Sequence, residues 1–295
     1  MSFIKRFFQK SMLGFKMAIQ GFIFIKKHPS LLIFPVVAVV IIFTIIGLIL
    51  AALVASVGLF IHHPHATREN VPISFYIIAA LAIFVSALVI NVTNSFFSVA
   101  QVQSTVDLLN GKQTSFTRSL GQAFSRLGTI IVWSLIATIV GIVINNIRSK
   151  NSQSSVIAQF LRSILAKILV LAWQFSTYFV IPIITLENIS IVKTIESSYT
   201  MMKKTFGNVI GAQASFGLVS FLATTVIGGP LALIAWALFS WPGAVVIATI
   251  VIVITSVITK ATETVFKTAV YQMVHERNTG PFSKQEIDQH FIRGN

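Results

Sequence analysis

Long apolar stretches alternate with short polar segments along the chain. A helix needs about 20 mostly apolar residues to cross the hydrocarbon of a bilayer. The stretches of sufficient length occupy residues 31–61, 73–100, 128–145, 164–186, 209–239 and 244–266. Gly228-Gly229-Pro230 predicts a kink or break in the fifth, and Ser240-Trp241-Pro242-Gly243 predicts a tight turn before the sixth. The pattern therefore predicts six transmembrane helices.

Three polar segments, each before a pair of these stretches, carry apolar residues at helical spacing beside basic ones. The apolar positions are Ile4, Phe8, Met12, Phe15, Ile19 and Phe22; Phe116, Leu120, Phe124 and Leu127; and Ile191, Ile195, Tyr199, Met202 and Phe206. Thr114 or Ser115 can cap the second helix and Ser190 the third. Such segments are typical of helices that lie in the membrane interface.

The predicted fold is thus an all-α integral membrane protein of three transmembrane hairpins. Each hairpin is preceded by a cytoplasmic amphipathic interfacial helix. Residues 1–274 form a single polytopic membrane domain, and residues 275–295 form a short polar cytoplasmic tail.

Composition supports membrane insertion and excludes a soluble globule. Charged residues make up 10% of the chain and hydrophobic residues 55%, whereas soluble domains carry about 25% charged residues. The mean hydropathy is +0.85. Cysteine is absent from the sequence, which excludes disulfides, thiolate nucleophiles and cysteine metal ligands.

The distribution of basic residues predicts the orientation in the membrane. Of 22 Lys and Arg, 17 lie on the side that holds both termini and five on the other. Because cytoplasmic loops are enriched in basic residues, both termini of this multi-pass protein should be cytoplasmic, at the inner membrane. A net charge of +14 suits the anionic inner leaflet. The residues expected to contact anionic lipid are Lys5, Arg6, Lys10, Lys16, Arg118, Arg126, Lys203 and Lys204.

Three segments carry a resemblance to a known family. They are FIKKHPSLLIFPVV, LLNGKQTSFTRSLGQAFSRLGTIIVWSLIATIVGIVI and YFVIPIITLENISIVKTIESSYTMMKKTFGNVIGA. The chain resembles, over most of residues 20–220, a family of uncharacterised prokaryotic multi-span membrane proteins catalogued as a domain of unknown function. The resemblance implies a multi-helix membrane protein and assigns no catalytic or binding residue.

A few polar residues fall inside or at the edge of the apolar stretches. Asn91, Asn94 and Gln174 are the candidates nearest the membrane core, where amides either bond between helices or line a polar pathway. Lys260, Glu263 and Lys267 share one face near the cytoplasmic end of the last stretch, with Glu263 and Lys267 in the favourable order for an ion pair.

Small residues at every fourth position mark one more packing surface. Gly207, Gly211 and Ser215 permit close helix approach, either within the chain or between two copies of it.

Candidates for metal or acid–base chemistry are weak. His62, His63 and His65 stand close enough to bind a metal, although a plain polar connector explains them as well. Glu187 and Glu196 form the one carboxylate pair suited to a lipid-modifying enzyme, without a nucleophile or metal beside it. The sequence contains no phosphate-binding loop, HExxH or GxSxG motif. We predict no cofactor, no metal and no nucleic-acid partner.

The favoured hypothesis is a non-enzymatic accessory or membrane-organising protein. Its partners would be membrane lipids of the anionic inner leaflet, together with another membrane protein or a second copy of the chain. The alternative is a small-solute or ion transporter or channel, with a pathway near Asn91, Asn94 and Gln174.

Overall fold

The computed structural model describes residues 3–61, 73–148 and 156–282, and over these ranges the chain is all-α. The helices are α1 (Phe3–Lys27), α2 (Ile33–Ile61), α3 (Ile73–Leu109), α4 (Phe116–Ser125), α5 (Leu127–Arg148), α6 (Val156–Thr177), α7 (Val180–Leu186), α8 (Ile191–Ala223) and α9 (Gly229–Val274). A short 3₁₀ turn, Pro29–Leu32, separates α1 from α2, and a π turn, Thr224–Gly228, joins α8 to α9.

Five stretches of the described chain are long and apolar enough to cross a membrane. They are Pro29–Ala52, Tyr76–Leu109, Leu127–Ile147, Gln159–Leu186 and Ile191–Val274. The chain therefore has the helices of a multi-pass membrane protein. The last stretch, at 84 residues, is far longer than one crossing requires.

This last stretch folds back on itself at Ser240. The backbone of Ser240 leaves the helical region (φ 62°, ψ −168°), as expected where a turn interrupts a helix. The residues on either side of the turn pair in antiparallel order: Gln213 bonds to Glu263, and a Cβ built on Gly228 would lie 2.8 Å from Cγ1 of Val251. The reversal occurs at the first residue of the turn predicted from sequence.

The predicted interruption at Gly228-Gly229-Pro230 takes a milder form than a break. The chain passes through the π turn and continues as helix into α9, with Pro230 in its first turn. Proline has no amide hydrogen. In the first turn of a helix this loss costs little, because the amides there have no acceptor within the helix, whereas further along a helical hydrogen bond would be lost.

The long helices pair as α2 with α3, α5 with α6, and α8 with α9. Their outward parts carry mostly exposed large hydrophobic side chains, and we call these parts the apolar arms. The apolar arms comprise residues 40–54, 73–85, 131–143, 157–171 and 218–254. Surface of this kind is stable in hydrocarbon and costly in water.

Burial concentrates at the opposite end of the same helices, which we call the packed end. There α1, the last part of α3, α4, α7, the first part of α8 and the last part of α9 meet. The largest fully buried side chains include Tyr271, Phe34, Phe179 and Phe266. The buried polar side chains also gather mainly here, among them Gln101, whose Nε2 donates to the carbonyl of Ala261 at 3.0 Å.

Helix α1 is part of this packed end, which the prediction of a purely interfacial helix did not include. Met17, Ala18, Phe24 and Ile25 are buried, and α1 runs against α8. The closest approach is at Gly14, where an added Cβ would overlap the carbonyl oxygen of Asn208.

The predicted small-residue surface lies beside this contact. Gly207, Gly211 and Ser215 are all buried within the chain, and the hydroxyl of Ser215 donates to the carbonyl of Gly211 at 2.8 Å. The neighbouring positions Asn208 and Ala212 are the ones that face Gly14. Close packing of small residues thus occurs inside one molecule.

The three predicted interfacial helices differ in how they join the hydrophobic helices. Breaks at His28 and at Arg126 separate α1 from α2 and α4 from α5. The third has no such break, because α8 continues from Ile191 to Ala223 as one helix. The threefold pattern of separate interfacial helices is therefore wrong for the third segment.

The predicted capping residues stand directly before their helices, but their side chains do not make the expected capping hydrogen bonds. Ser115 and Ser190 precede α4 and α8, yet neither side chain makes a capping hydrogen bond. Thr114 instead bonds through its hydroxyl to the hydroxyl of Ser104 on α3. At this same C-terminal end of α3 the carbonyl of Asp107 accepts from the amide of Lys112, around Gly111 at φ 69°.

The start of the predicted polar tail folds onto the packed end. Phe282 is fully buried, and its ring centroid lies 5.9 Å from that of Phe24. The hydroxyl of Thr279 donates to the carbonyl of Phe282 at 2.8 Å, and Gly280 rests against Leu109. Residues 275–282 thus belong to the packed structure.

The contact of α1 with α8 gives a direct test of this arrangement. We expect Gly14→Ala to lower the free energy of unfolding by about 1–3 kcal/mol, because backbone atoms of α8 must move to admit the methyl group. Thermal unfolding of the purified full-length protein in detergent measures the change.

Gly217→Ala, on α8 with nothing near its added Cβ, is the matched control. It should be neutral or stabilising by up to about 1 kcal/mol, because alanine favours helix. Equal effects of the two substitutions would contradict the close approach.

Candidate functional site

A cluster of polar side chains joins four parts of the fold at the boundary between the apolar arms and the packed end. We call it the polar cluster. It consists of Asn94, Tyr178, Gln213, Lys260, Glu263 and Lys267. Asn94 comes from α3, Tyr178 from the turn between α6 and α7, Gln213 from α8, and the three charged residues from α9.

Glu263 is the centre of the polar cluster. Its Oε1 accepts from Nζ of Lys267 at 2.9 Å and from Nε2 of Gln213 at 2.8 Å. The predicted ion pair of Glu263 and Lys267 is therefore present. The carboxylate is held by one cation and one amide, as a charge away from bulk water requires.

Tyr178 and Gln213 complete the shell around this ion pair. Nε2 of Gln213 also donates to the hydroxyl of Tyr178 at 3.0 Å. The ammonium of Lys267 lies 4.2 Å from the centroid of the Tyr178 ring, within range of a cation–π interaction. The α6–α7 turn, α8 and α9 are thereby linked through Glu263.

Lys260 does not share the ion pair, although it occupies the same face of α9. Its Nζ donates to Oδ1 of Asn94 on α3, and its side chain is exposed. Asn94 is half-buried. Two residues that the sequence placed in separate candidate groups thus form one contact between α3 and α9.

The three predicted membrane-core amides do not line a common surface. Asn91 is half-buried and donates to Oγ1 of Thr138 on α5 at 3.0 Å, whereas Asn94 bonds to α9. Gln174 is exposed on α6. Asn91 and Asn94 therefore act as contacts between helices, and Gln174 is not joined to either.

A second group of interacting side chains, Glu187, Tyr271 and His275, lies at the packed end. The hydroxyl of Tyr271 donates to Oε1 of Glu187 at 2.7 Å, and Nε2 of His275 lies 3.7 Å from the same oxygen. The rings of Tyr271 and His275 stack with centroids 4.3 Å apart. Glu187 is thus bonded to the end of α9, while Glu196 is exposed on α8.

The residues expected to contact anionic lipid fall into three groups. Exposed side chains belong to Lys16, Arg118, Lys203 and Lys204. Arg126 instead donates to Oδ1 of Asn188 at 2.6 Å, which binds α4 to the α7–α8 connection. The remaining three, Lys5, Arg6 and Lys10, lie on α1 and their side chains are outside the described part of the structure.

Metal binding gains no support within the described ranges. Among residues 3–61, 73–148 and 156–282, no group of three or more His, Asp or Glu side chains could hold a metal ion. His62, His63 and His65 lie outside the described residues.

Comparison with known protein families identifies the family to which the chain belongs. A family model described as a family of unknown function, DUF6159, matches residues 73–282. The chain belongs to the DUF6159 family. The match contains two of the three segments that carried the resemblance, and it extends past residue 220 to include residues 275–282, which the resemblance left out. No curated protein and no solved structure matches the chain.

Two members of the polar cluster, Tyr178 and Gln213, were not predicted from the sequence of this DUF6159 protein. Each is a polar residue near one end of a long apolar stretch. That position is the one signal that could have identified them. It does not reveal that Gln213 bonds to Glu263 or that Tyr178 contacts Gln213 and Lys267.

The polar cluster predicts a selective effect on stability. Glu263→Gln should lower the free energy of unfolding by about 1–3 kcal/mol, because Lys267 loses its counter-charge where solvation is restricted. Thermal unfolding in detergent, repeated at two salt concentrations, measures the loss.

The exposed Glu196 on α8 provides the control, and Glu196→Gln should change stability by less than about 0.5 kcal/mol. If the two variants unfold alike, Glu263 does not have the central place assigned to it.

Proposed function

We propose that this protein is a non-enzymatic, membrane-organising or accessory protein of the cytoplasmic membrane. In this proposal the chain crosses the bilayer six times, as three hairpins, and both termini face the cytoplasm. The reversal at Ser240 supports two crossings within Ile191–Val274. The excess of basic residues on the side of the termini supports the orientation.

The observation that carries the proposal is the separation of the molecule into apolar arms and a packed end. The arms present aliphatic and aromatic surface to their surroundings, which suits contact with acyl chains. The packed end presents exposed cations, among them Lys16, Arg118, Lys203 and Lys204. Such a molecule is suited to hold anionic headgroups at one leaflet while its arms remain in hydrocarbon.

Two carboxylates, Glu263 and Glu187, are bonded to other side chains of the protein, which suits a structural role more than a catalytic one. Glu263 is bonded to Lys267 and Gln213, and Glu187 to Tyr271. The pairing of Glu187 with Glu196 as acid and base receives no support, because Glu196 is exposed on α8 without a described bond to Glu187.

Enrichment of anionic lipid around the protein tests the proposal. In proteoliposomes of phosphatidylcholine with a minor fraction of labelled phosphatidylglycerol, energy transfer from the stacked pair Trp133 and Trp173 to the label reports local enrichment. Replacing Lys16, Arg118, Lys203 and Lys204 together by Gln should abolish the enrichment, since each exposed cation contributes about 1 kcal/mol at an anionic surface.

A matched variant retains the charge and changes the residue type. Lys16→Arg, Lys203→Arg and Lys204→Arg with Arg118→Lys should enrich phosphatidylglycerol as the wild type does. Absence of enrichment in the wild type would contradict the proposal. So would a flux of small ions or osmolytes that Asn91→Leu abolishes, because that result favours the transporter.

A further inference from the structure

We propose that the junction of α3 and α9 at Lys260 binds the phosphate of one anionic glycerophospholipid. This inference rests on the proposed function and deepens it, because it names one bound lipid in addition to the general basic surface. Lys260 and Asn94 would hold the phosphate, and the adjoining apolar arms would hold the acyl chains.

The Lys260 ammonium has hydrogen-bond donors that the described contacts do not use. A lysine ammonium has three N–H donors, and the described contact occupies one of them, with Oδ1 of Asn94. The nearby carboxylate of Glu263 is bonded to Lys267 and Gln213 instead. Lys260 thus has an exposed side chain and a neutral bonding partner, which leaves donors for the oxygens of an anion.

The charges on this face of α9 do not balance. The face of α9 that carries the polar cluster has two cations, Lys260 and Lys267, and one anion, Glu263. The excess of one positive charge matches the single negative charge of a phosphodiester. A phosphodiester at the membrane surface would therefore compensate the positive charge that the protein leaves unmatched.

Lys260 and Asn94 lie at the same distance along their helices from the outer side of the membrane. Lys260 follows the reversal at Ser240 by 20 residues, and Asn94 follows the start of α3 at Ile73 by 21 residues. At 1.5 Å per residue, each lies about 30 Å from the outer end of its helix, which equals the thickness of the hydrocarbon. Both side chains therefore stand at the level of the inner-leaflet phosphates.

Exposed aliphatic side chains lie on the hydrocarbon side of this level. Ile83 is eleven residues, about three helical turns, before Asn94 on α3, and Val246 is fourteen residues, about four turns, before Lys260 on α9. A lipid whose phosphate is bound by Lys260 would extend its acyl chains along this surface. A soluble phosphate would gain nothing from it, so the arrangement favours a lipid.

Native mass spectrometry of the full-length protein, titrated with dioleoylphosphatidylglycerol or dioleoylphosphatidylcholine, tests the site. The first phosphatidylglycerol should bind Lys260→Met at least about tenfold more weakly than wild type, since a charge-assisted hydrogen bond is lost. Lys193→Met removes an exposed lysine of α8 that is not among the proposed lipid contacts, and it should leave the first lipid bound as in wild type. Lys260→Arg should retain binding.

A second variant tests whether a loss of lipid binding results from misfolding. Asn94→Leu keeps the cation and removes its neighbour, and with an unfolding temperature near that of wild type it should also weaken the first phosphatidylglycerol. Unchanged binding by folded Lys260→Met would overturn the site. Equal weakening by Lys193→Met would overturn it too, because the loss of binding would then not be specific to Lys260.

Competition separates a lipid site from a phosphate site. Excess glycerol 3-phosphate should not displace the bound lipid, and displacement would overturn the assignment to a glycerophospholipid. The outcome is distinguishable from a failure of the proposed function, because general enrichment of phosphatidylglycerol depends on Lys16, Arg118, Lys203 and Lys204 and not on Lys260.

Discussion

The carboxylate of Glu263 imposes the constraint on which the rest of the structure depends. It is half-buried at the boundary between the apolar arms and the packed end, where water has limited access, so protein groups must solvate it. Lys267 supplies the charge, Gln213 supplies an amide, and Tyr178 joins both. Because these partners come from separate parts of the chain, satisfying one carboxylate fixes how α8, α9 and the α6–α7 turn meet. Close packing of α1 at Gly14 then completes the same end of the bundle.

This constraint explains why the helices pack at one end and present apolar surface at the other. In hydrocarbon, helices gain little from burying aliphatic side chains against each other, since lipid tails are equally apolar. Polar groups gain much more from contact, and the buried polar residues of this chain gather mainly at the packed end. The resulting molecule has exposed apolar arms and a packed end with exposed cations, which is the combination that the proposed function uses.

The sequence predicted the features that depend on local pattern. The hydrophobic helices, the turn at Ser240, the pairing of Glu263 with Lys267 and the membership of a family of unknown function all follow from residues close together in the chain. The contacts between distant residues were not predictable in this way. Nothing near Lys260 in the sequence indicates Asn94, and the amphipathic pattern of α1 suits a membrane surface as well as the face of α8.

The central claim is that the packed end lies in the cytoplasm and that the chain crosses the bilayer on each side of Ser240. The natural absence of cysteine allows single cysteines to be placed without further change. In intact cells a membrane-impermeant maleimide should label Trp241→Cys, and it should label Lys204→Cys and Arg277→Cys only after permeabilisation. Labelling of all three positions from one side would contradict the account.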